Sequence, residues 1–253
     1  MNSHAFSPGA LLWERLLGFF YPHVCQICRS EKATASDGFV CVRCCSKVDG
    51  VRFIAEPFCK CCGTPFDGDI TTPFECFNCR DQRLYFRSAR AAVRMTPLVQ
   101  QVVHSYKYRN ALWFERFLGD LFVQTAKPIL ESQKIDYLVP IPLHWRKRWQ
   151  RAFNQSERLA KILSNATGIP LNRSWLKRVQ PTPTQTRFTR VQRAENVRRA
   201  FAFRGKTRLN GEHLVLIDDV LTTGATASAC AKVLVENGAG TVDVWTVARG
   251  TLQ

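Results

Sequence analysis

The sequence has no apolar run of about 18 residues, the length that a membrane-spanning helix requires. The apolar segment near its start, residues 11–21, is shorter and contains Glu14 and Arg15. No small-residue cleavage site follows it, so we expect no signal peptide and a cytoplasmic location. Residues 1–21 are expected to form an amphipathic segment that packs on the protein, with peripheral docking at the inner membrane as the alternative.

Cysteine is almost absent after residue 79, where Cys230 is the one example. Ten cysteines lie in residues 25–79, and eight of them form four Cys-x-x-Cys pairs separated by 12, 14 and 13 residues. Two such turns supply the four thiolates of a tetrahedral zinc site. The spacing predicts two structural zinc ions, held by Cys25, Cys28, Cys41, Cys44, Cys59, Cys62, Cys76 and Cys79. Sequential pairing of the turns is the simplest assignment, and a cross-braced one stays open.

Other interpretations of these cysteines are less favoured. A disulfide framework belongs to exported proteins, and regularly spaced pairs suit a zinc ribbon better than an iron–sulfur cluster. Cys45 and Cys61 are spare thiols that could replace a neighbouring ligand, and His23 is a weaker ligand candidate. Few aliphatic residues occur in residues 22–82, so we expect metal to replace a hydrophobic core there.

Acidic side chains are scarce, with 20 Asp and Glu against 36 Lys and Arg. Residues 140–208 contain 17 Lys and Arg but only Glu157 and Glu195, a net of +15 in a chain whose total is +16. Arginine predominates, which suits bidentate phosphate contacts. Aromatic residues among the charges predict a surface for single-stranded DNA. The alternative is that these aromatics face the core: Trp145, Trp149, Phe153, Trp175, Phe188, Phe201 and Phe203.

Residues 215–226 carry the most specific pattern, VLIDDVLTTGAT. A short branched apolar run that ends in Asp218 and Asp219 predicts a buried parallel strand. Residues 227–236 predict a helix, with Gly238 as its stop signal. The two acidic residues therefore come just before a tight turn at the carboxyl end of a strand, where open α/β sheets bind ligands.

The turn between this strand and helix has the chemistry of an anion site. Backbone N–H groups and the positive end of a helix attract phosphate, and threonine hydroxyls add donors. Carboxylates accept hydrogen bonds from sugar hydroxyls. The unit thus predicts a sugar phosphate ligand bound by Asp218, Asp219, Thr222, Thr223, Gly224, Ala225 and Thr226. No Gly-Lys-Ser/Thr sequence follows at the spacing of a Walker loop.

This strand–loop–helix unit resembles the phosphoribosyl pyrophosphate (PRPP) signature of type I phosphoribosyltransferases. The resemblance implies that Asp218 and Asp219 hold the ribose 2′- and 3′-hydroxyls and that residues 222–226 cradle the 5′-phosphate. PRPP with Mg²⁺ is the implied ligand.

Further segments resemble the ComF/GntX family along nearly the whole chain: VPIPLH at 139–144, RAFNQ at 151–155, TPTQ at 182–185, the Lys107-Tyr108 pair and the double zinc ribbon. The resemblance implies a pyrophosphate loop at residues 140–144 and a mobile loop at 182–193. Arg148, Arg151 and Arg193 are the expected cations for pyrophosphate, and Lys107 is a weaker candidate. Ala152 stands where the family usually has glycine. If that position needs a positive φ, alanine would strain the backbone there.

Apolar segments along the rest of the chain alternate between strand and helix patterns. The strands are predicted at 88–95, 135–142 and 241–248, and the helices at 98–107, 114–126 and 153–164. This order predicts an α/β fold, a mostly parallel sheet flanked by helices. The family resemblance makes it phosphoribosyltransferase-like, preceded by a small zinc-ribbon domain. The expected divisions are an N-terminal segment at 1–21, a double zinc ribbon at 22–82 and the α/β domain at 88–253.

Two functions are compatible with these patterns. The ComF resemblance implies a competence protein that handles incoming single-stranded DNA in natural transformation or DNA utilisation. The alternative is a genuine phosphoribosyltransferase that moves phosphoribosyl from PRPP to a nitrogen base. A zinc-ribbon adaptor that docks a DNA-uptake helicase or inner-membrane machinery is compatible with the first function.

Overall fold

The computed structural model describes residues 23–68, 70, 72–80, 83–143, 153–180 and 200–250. Several predicted features lie outside the described residues. They are the N-terminal segment 1–21, the mobile loop 182–193, and His144, Arg148, Arg151, Ala152 and Arg193.

The described residues contain six strands: β1 Ala89–Arg94, β2 Tyr137–Pro140, β3 Leu176–Arg178, β4 Phe201–Phe203, β5 His213–Leu221 and β6 Thr241–Arg249. Four of them form a fully parallel sheet in the order β1-β6-β5-β2. Parallel neighbours need crossover connections, which the helices between the strands supply. The predicted α/β class is therefore confirmed, with β1 at an edge of the sheet.

A two-stranded antiparallel sheet, β3 with β4, was not predicted. Each strand has only three residues, and the 22 residues between them are rich in Arg and Thr. Periodicity over three residues is too short to indicate a strand. The pair is fixed instead by burial of Leu176 and Phe201 beside the main sheet.

The helices of the described residues begin and end at recognisable signals. Thr96 caps one by accepting a hydrogen bond from the Val99 amide, Asn154 caps another through the Ser156 amide, and Gly168 ends that helix with φ at 74°. The α-helices are α1 Val42–Ser46, α2 Phe77–Arg80, α3 Pro97–Tyr108, α4 Glu115–Glu131, α5 Gln155–Thr167 and α6 Ala225–Glu236. None in the described part of the chain combines the length and apolarity needed to cross a bilayer.

Strand β5 is one of the two inner strands of the sheet and has both faces covered. Val215 and Ile217 belong to the apolar cluster formed with α3, α4 and α5, whereas Leu214 and Leu216 belong to the cluster formed with α6. All four side chains are fully buried, and each contributes about 1.5–3 kcal/mol of hydrophobic stabilisation. By the same alternation, Asp218 and Asp219 point to opposite faces of the sheet.

Several elements extend further than predicted, most clearly β5 and α4. Strand β5 continues past the two Asp residues to Leu221, because β6 also continues and pairs Leu221 with Arg249. Helix α4 continues through Pro128 to Glu131, since burial of Leu130 in its last turn outweighs the hydrogen bond that proline removes.

The cysteine-rich segment is bonded to the free edge of β1. The Ala89 amide donates to the Cys61 carbonyl at 2.7 Å, and the Ile54 amide donates to the Ala92 carbonyl at 3.0 Å. Gly63 makes this approach possible: its φ is +65°, and a Cβ there would lie 2.5 Å from the Ala89 oxygen. The ribbon thus covers an edge that would otherwise expose unpaired backbone groups.

Candidate functional site

The eight predicted zinc ligands form two separate clusters, each built from consecutive Cys-x-x-Cys pairs. Within each cluster the four sulfur atoms lie within 4.8 Å of one another. Measured Sγ–Sγ distances are 3.9 Å for Cys25–Cys44 and 3.8 Å for Cys28–Cys41. The second cluster gives 3.8 Å for Cys59–Cys79 and 3.6 Å for Cys62–Cys76. The structure therefore adopts sequential rather than cross-braced pairing.

These distances fit tetrahedral zinc. Four thiolates at about 2.3 Å from one Zn²⁺ ion lie about 3.8 Å apart, whereas a disulfide needs about 2.05 Å. Backbone amides also approach the sulfur atoms, with Cys41 N–H to Cys25 Sγ at 3.3 Å and Cys76 N–H to Cys59 Sγ at 3.3 Å. The donor set matches two structural zinc-ribbon sites that leave no position open for chemistry.

The alternative metal ligands stay outside both clusters. Cys45 and Cys61 flank cluster members in sequence, but neither sulfur joins a four-sulfur group. His23 is exposed, and the first cluster is complete without it. The prediction that metal replaces a hydrophobic core needs one correction. Cysteines of the first cluster pack into the same buried apolar cluster as Phe117 of α4, so that site shares the core of the α/β domain.

The Asp218–Asp219 pair lies in the last four residues of β5, and both carboxylates have protein partners. Ser156, the second residue of α5, donates its hydroxyl to Asp218 Oδ1 at 2.7 Å. Lys107, near the end of α3, pairs its Nζ with Asp219 Oδ1 at 2.8 Å. Both carboxylates are therefore held in place before any ligand arrives.

Burial and the neighbouring Asp219 charge raise the pKa of Asp218 from its ordinary value of 3.8 to about 7. Lys107 and the Ser156 hydroxyl act in the opposite direction without cancelling this effect. At neutral pH the pair thus carries less than two full negative charges. A cation or a set of hydroxyl donors arriving at Asp218 would favour its ionised form.

The loop after β5 leads directly into α6, which begins two residues before its predicted start at residue 227. Thr222 and Thr223 are exposed, Gly224 is buried and is the N-cap with φ at 77°, and the helix begins at Ala225. Glycine is favoured at this φ, and it has no side chain that could occupy the first helical amides. The first helical amide, Ala225 N–H, donates to the Thr223 hydroxyl at 3.3 Å. The loop therefore presents hydroxyls beside a helix N-terminus whose N-cap glycine makes no side-chain cap, the arrangement that binds phosphate.

Sequence reasoning missed Ser156 and gave Lys107 too little weight. Both residues reach the carboxylates from helices that are distant in sequence, at separations of 62 and 112 residues. Asn154 gave a usable signal, because an Asn followed by a helical pattern marks a helix start. That start places Ser156 at the carboxyl edge of the sheet, where its Asp218 contact is made.

The basic segment 140–208 is only partly described. Its described aromatics pack against other side chains, with Phe201 buried and the others partly buried: Phe153 contacts Tyr106 at 5.2 Å between ring centroids, and Trp175 contacts Tyr137 at 4.8 Å. Phe201 and Phe203 pack in the cluster beside α6. The expectation that these four offer stacking faces is therefore corrected, since their rings are engaged. Exposed cations do occur on the described part: Lys161, Arg173, Lys177, Arg204, Lys206 and Arg208.

Comparison with known proteins identifies the family. Residues 16–80 match the family model described as a double zinc ribbon domain. Competence protein F of Haemophilus influenzae is 27% identical over 234 residues, which cover 91% of this chain and 98% of that protein. DNA utilization protein YhgH of Salmonella typhi is 30% identical over 231 residues, covering 90% of this chain and 97% of that protein. The chain belongs to the ComF/GntX family.

More distant ComF relatives and solved structures extend the comparison. Competence protein ComFC of Bacillus subtilis is 27% identical over 222 residues, covering 84% of this chain and 85% of that protein. The purine phosphoribosyltransferase structure from Pyrococcus horikoshii covers 54% of this chain and 87% of its own, with 17% identity and a TM-score of 0.35. A TM-score this low carries no weight for fold or ligand.

The cysteine clusters give a first prediction. Cys44→Ser should lose one zinc ion per chain and lower Tm by at least about 10 °C, because structural zinc supplies folding free energy directly. Cys45→Ser is the matched control, since its sulfur lies outside the cluster. Zinc content by atomic absorption and Tm by calorimetry test both variants. Equal zinc loss in both would contradict the assignment.

The raised pKa of Asp218 gives a second prediction. A carboxyl whose pKa rises on folding destabilises the folded state when it is ionised. This loss of unfolding free energy is absent below about pH 4 and complete above about pH 7. Asp218→Asn should therefore raise Tm at pH 7.5 by about 3 °C or more, and the gain should vanish near pH 4. Asp219→Asn should lower Tm instead, since it removes the ion pair with Lys107. Calorimetry across this pH range measures both, and a pH-independent gain would refute the argument.

Proposed function

We propose that this ComF-family protein binds PRPP with Mg²⁺ at the 222–226 loop and handles incoming single-stranded DNA in natural transformation or DNA utilisation. The strand–loop–helix unit carries the ligand part of the proposal. It brings two anchored carboxylates and a helix N-terminus with a glycine N-cap to one edge of a parallel sheet.

In this proposal each part of the ligand meets a different group. The amides and hydroxyls of residues 222–226 bind the 5′-phosphate, and Asp218 and Asp219 accept hydrogen bonds from the ribose hydroxyls. Arg148, Arg151 and Arg193, outside the described residues, are assigned to the pyrophosphate. Mg²⁺ would be held mainly by the diol and pyrophosphate oxygens of the ligand itself and would neutralise part of the ligand's negative charge.

We assign different roles to Asp218 and Asp219 because their carboxylates have different partners in the protein. Asp219 keeps its charge partner Lys107, so it is the fixed acceptor. Asp218 has a pKa of about 7 and accepts from the Ser156 hydroxyl and the Asp219 amide, with no ion-pair partner among the described residues, so ligand hydroxyls and the nearby cation favour its ionisation. Ligand binding at neutral pH should then release a fraction of a proton, which calorimetry in buffers of different ionisation enthalpy detects.

The DNA part of the proposal is supported by the relatives and by charge. Proteins that align along about nine-tenths of this chain are named for competence or DNA utilization. Residues 140–208 carry +15 of the total charge, and their described cations are largely exposed. Single-strand stacking would fall to Trp145, Trp149 and Phe188, outside the described residues. A cytoplasmic location, at or near the inner membrane and its DNA-uptake helicase, is part of the same proposal.

A PRPP-binding test separates the ligand site from the rest. PRPP with Mg²⁺ at about 100 times Kd should stabilise the wild type by about 2.7 kcal/mol, and the double variant Asp218→Asn, Asp219→Asn should lose that stabilisation. Glu236→Gln is the matched control, because Glu236 is an exposed carboxylate at the far end of α6. Thermal shifts with and without PRPP measure the effect. Retained stabilisation in the double variant would place the ligand elsewhere.

The same samples distinguish a binder from an enzyme. A phosphoribosyltransferase releases pyrophosphate when PRPP and the correct nitrogen base are present together, whereas a binder releases none. A coupled pyrophosphate assay over a panel of nucleobases gives this answer. Release abolished by the double variant would favour the enzyme alternative.

The DNA proposal predicts a strong dependence on salt. Replacing Arg146, Arg148 and Arg151 by Gln should weaken single-strand binding. The negative slope of log K against log salt should become shallower by about 2, because each lost phosphate contact contributes about 0.7 to its magnitude. Replacing Lys32, Lys47 and Arg52, exposed cations of the ribbon, is the control with equal charge change. Gel-shift titrations at several salt concentrations measure both. An unchanged slope in the first variant would remove the proposal.

A further inference from the structure

Arg249, the last residue of β6, is a buried arginine that touches both the second zinc site and the proposed phosphate loop. Its exposed fraction is 3%. Strand pairing places it beside Leu221, so its guanidinium lies where β5 ends and the loop begins. Neither the zinc-ribbon pattern nor the phosphate-loop pattern pointed to this residue.

On the ribbon side, Arg249 donates to three atoms of the second cysteine turn. Nε reaches the Cys62 carbonyl at 3.1 Å, and Nη2 reaches the Thr64 hydroxyl at 2.7 Å and Cys62 Sγ at 3.6 Å. On the loop side, Nη1 donates to the carbonyls of Leu221, Thr222 and Gly250. One guanidinium therefore joins backbone groups that are 160 residues apart in sequence.

The charge of Arg249 also needs a partner, because a buried cation without one is costly. Among the described residues no carboxylate lies within ion-pair distance of it. The sulfur of Cys62 supplies that partner, since Zn²⁺ with four thiolates carries a net charge of −2. Hydrogen bonds from outer partners orient the ligands of a metal and tune the metal site.

A second contact joins the same two sites through apolar atoms. Leu84 packs against the second cysteine cluster. Its Cδ2 also lies 4.0 Å from the position that a Cβ atom would take at Gly224, in the 222–226 loop. The next residue, Tyr85, is bonded to α6, because its amide donates to the Ser228 hydroxyl at 3.1 Å.

From these contacts we propose that Arg249 is a positioning residue that couples occupancy of the second zinc site to the shape of the 222–226 loop. The thiolate cluster holds the guanidinium, and the guanidinium holds the carbonyls at the start of the loop. The inference deepens the proposed PRPP site and rests on it only for the ligand-binding consequence. The coupling itself is a property of the ligand-free protein.

The first measurement uses full-length protein with zinc in slight excess and no PRPP. Arg249→Lys keeps the charge but has one donor group, which cannot reach both sides. Thr64→Val removes a ribbon-side acceptor without touching the loop. Hydrogen–deuterium exchange of residues 221–226 should be about 10-fold faster in Arg249→Lys and several-fold faster in Thr64→Val, the size expected for coupled sites.

Arg94→Lys is the matched control. Arg94 pairs with Arg249 in strand register and also contacts the ribbon, through Asp67, but it has no bond to the loop. Exchange at residues 221–226 should match the wild type in this variant. Wild-type exchange in both Arg249→Lys and Thr64→Val, with zinc content unchanged, would overturn the proposal. Should Arg249→Lys not fold, Thr64→Val alone decides it.

The second measurement tests the consequence for ligand. PRPP with Mg²⁺ should bind Arg249→Lys about 10-fold more weakly than wild type and Arg94→Lys equally well, by titration calorimetry. Cobalt in place of zinc adds a spectroscopic signature: PRPP should shift the thiolate-to-cobalt absorption of the wild type but not of Arg249→Lys. Faster loop exchange with unchanged affinity and spectrum would overturn the positioning role. Absence of PRPP binding to the wild type would instead refute the proposed function, and loop exchange would still decide the coupling.

Discussion

The parallel pairing of β5 with β6 is the constraint on which the rest of the structure depends. It buries the aliphatic centre of β5 between two helical layers and extends both strands by the same few residues at their carboxyl ends. That extension places two carboxylates, a threonine-rich loop and a buried guanidinium at one edge of the sheet. The middle of β5, from Leu214 to Ile217, is apolar on both faces, so the charged groups at this edge follow directly after a buried apolar run.

Local patterns predicted the parts of this architecture that depend on local geometry. Two thiolates of a Cys-x-x-Cys turn bind metal within four residues, so the eight ligands of the two clusters follow from spacing. Spacing left a cross-braced grouping open, and the structure shows the sequential one. The run from Val215 to Gly224 combines a buried strand with a turn that needs positive φ, so the loop and the start of α6 were also predictable. The parallel sheet followed from alternating strand and helix patterns.

The parts that sequence did not predict depend on contacts between distant segments. Ser156 and Arg249 were not predicted, and Lys107 was only a weaker candidate. The three residues reach the site from three different elements, and single residues of these types are usually exposed in other contexts. The β3–β4 pair is too short to show a period, and its stability comes from neighbours rather than from its own residues. The extent of β5 beyond Asp219 depends on its partner strand, which no local pattern encodes.

The position of β6 in the sheet has a consequence for how the molecule assembles. This strand comes late in the chain yet lies between β1 and β5, so β1 has no partner in the main sheet until β6 arrives. The cysteine turns precede it by more than 150 residues and can take up metal early during synthesis. A newly made chain therefore passes through a stage with a finished ribbon, an open strand edge and no ligand pocket. Aggregation through that edge is the main hazard of this stage.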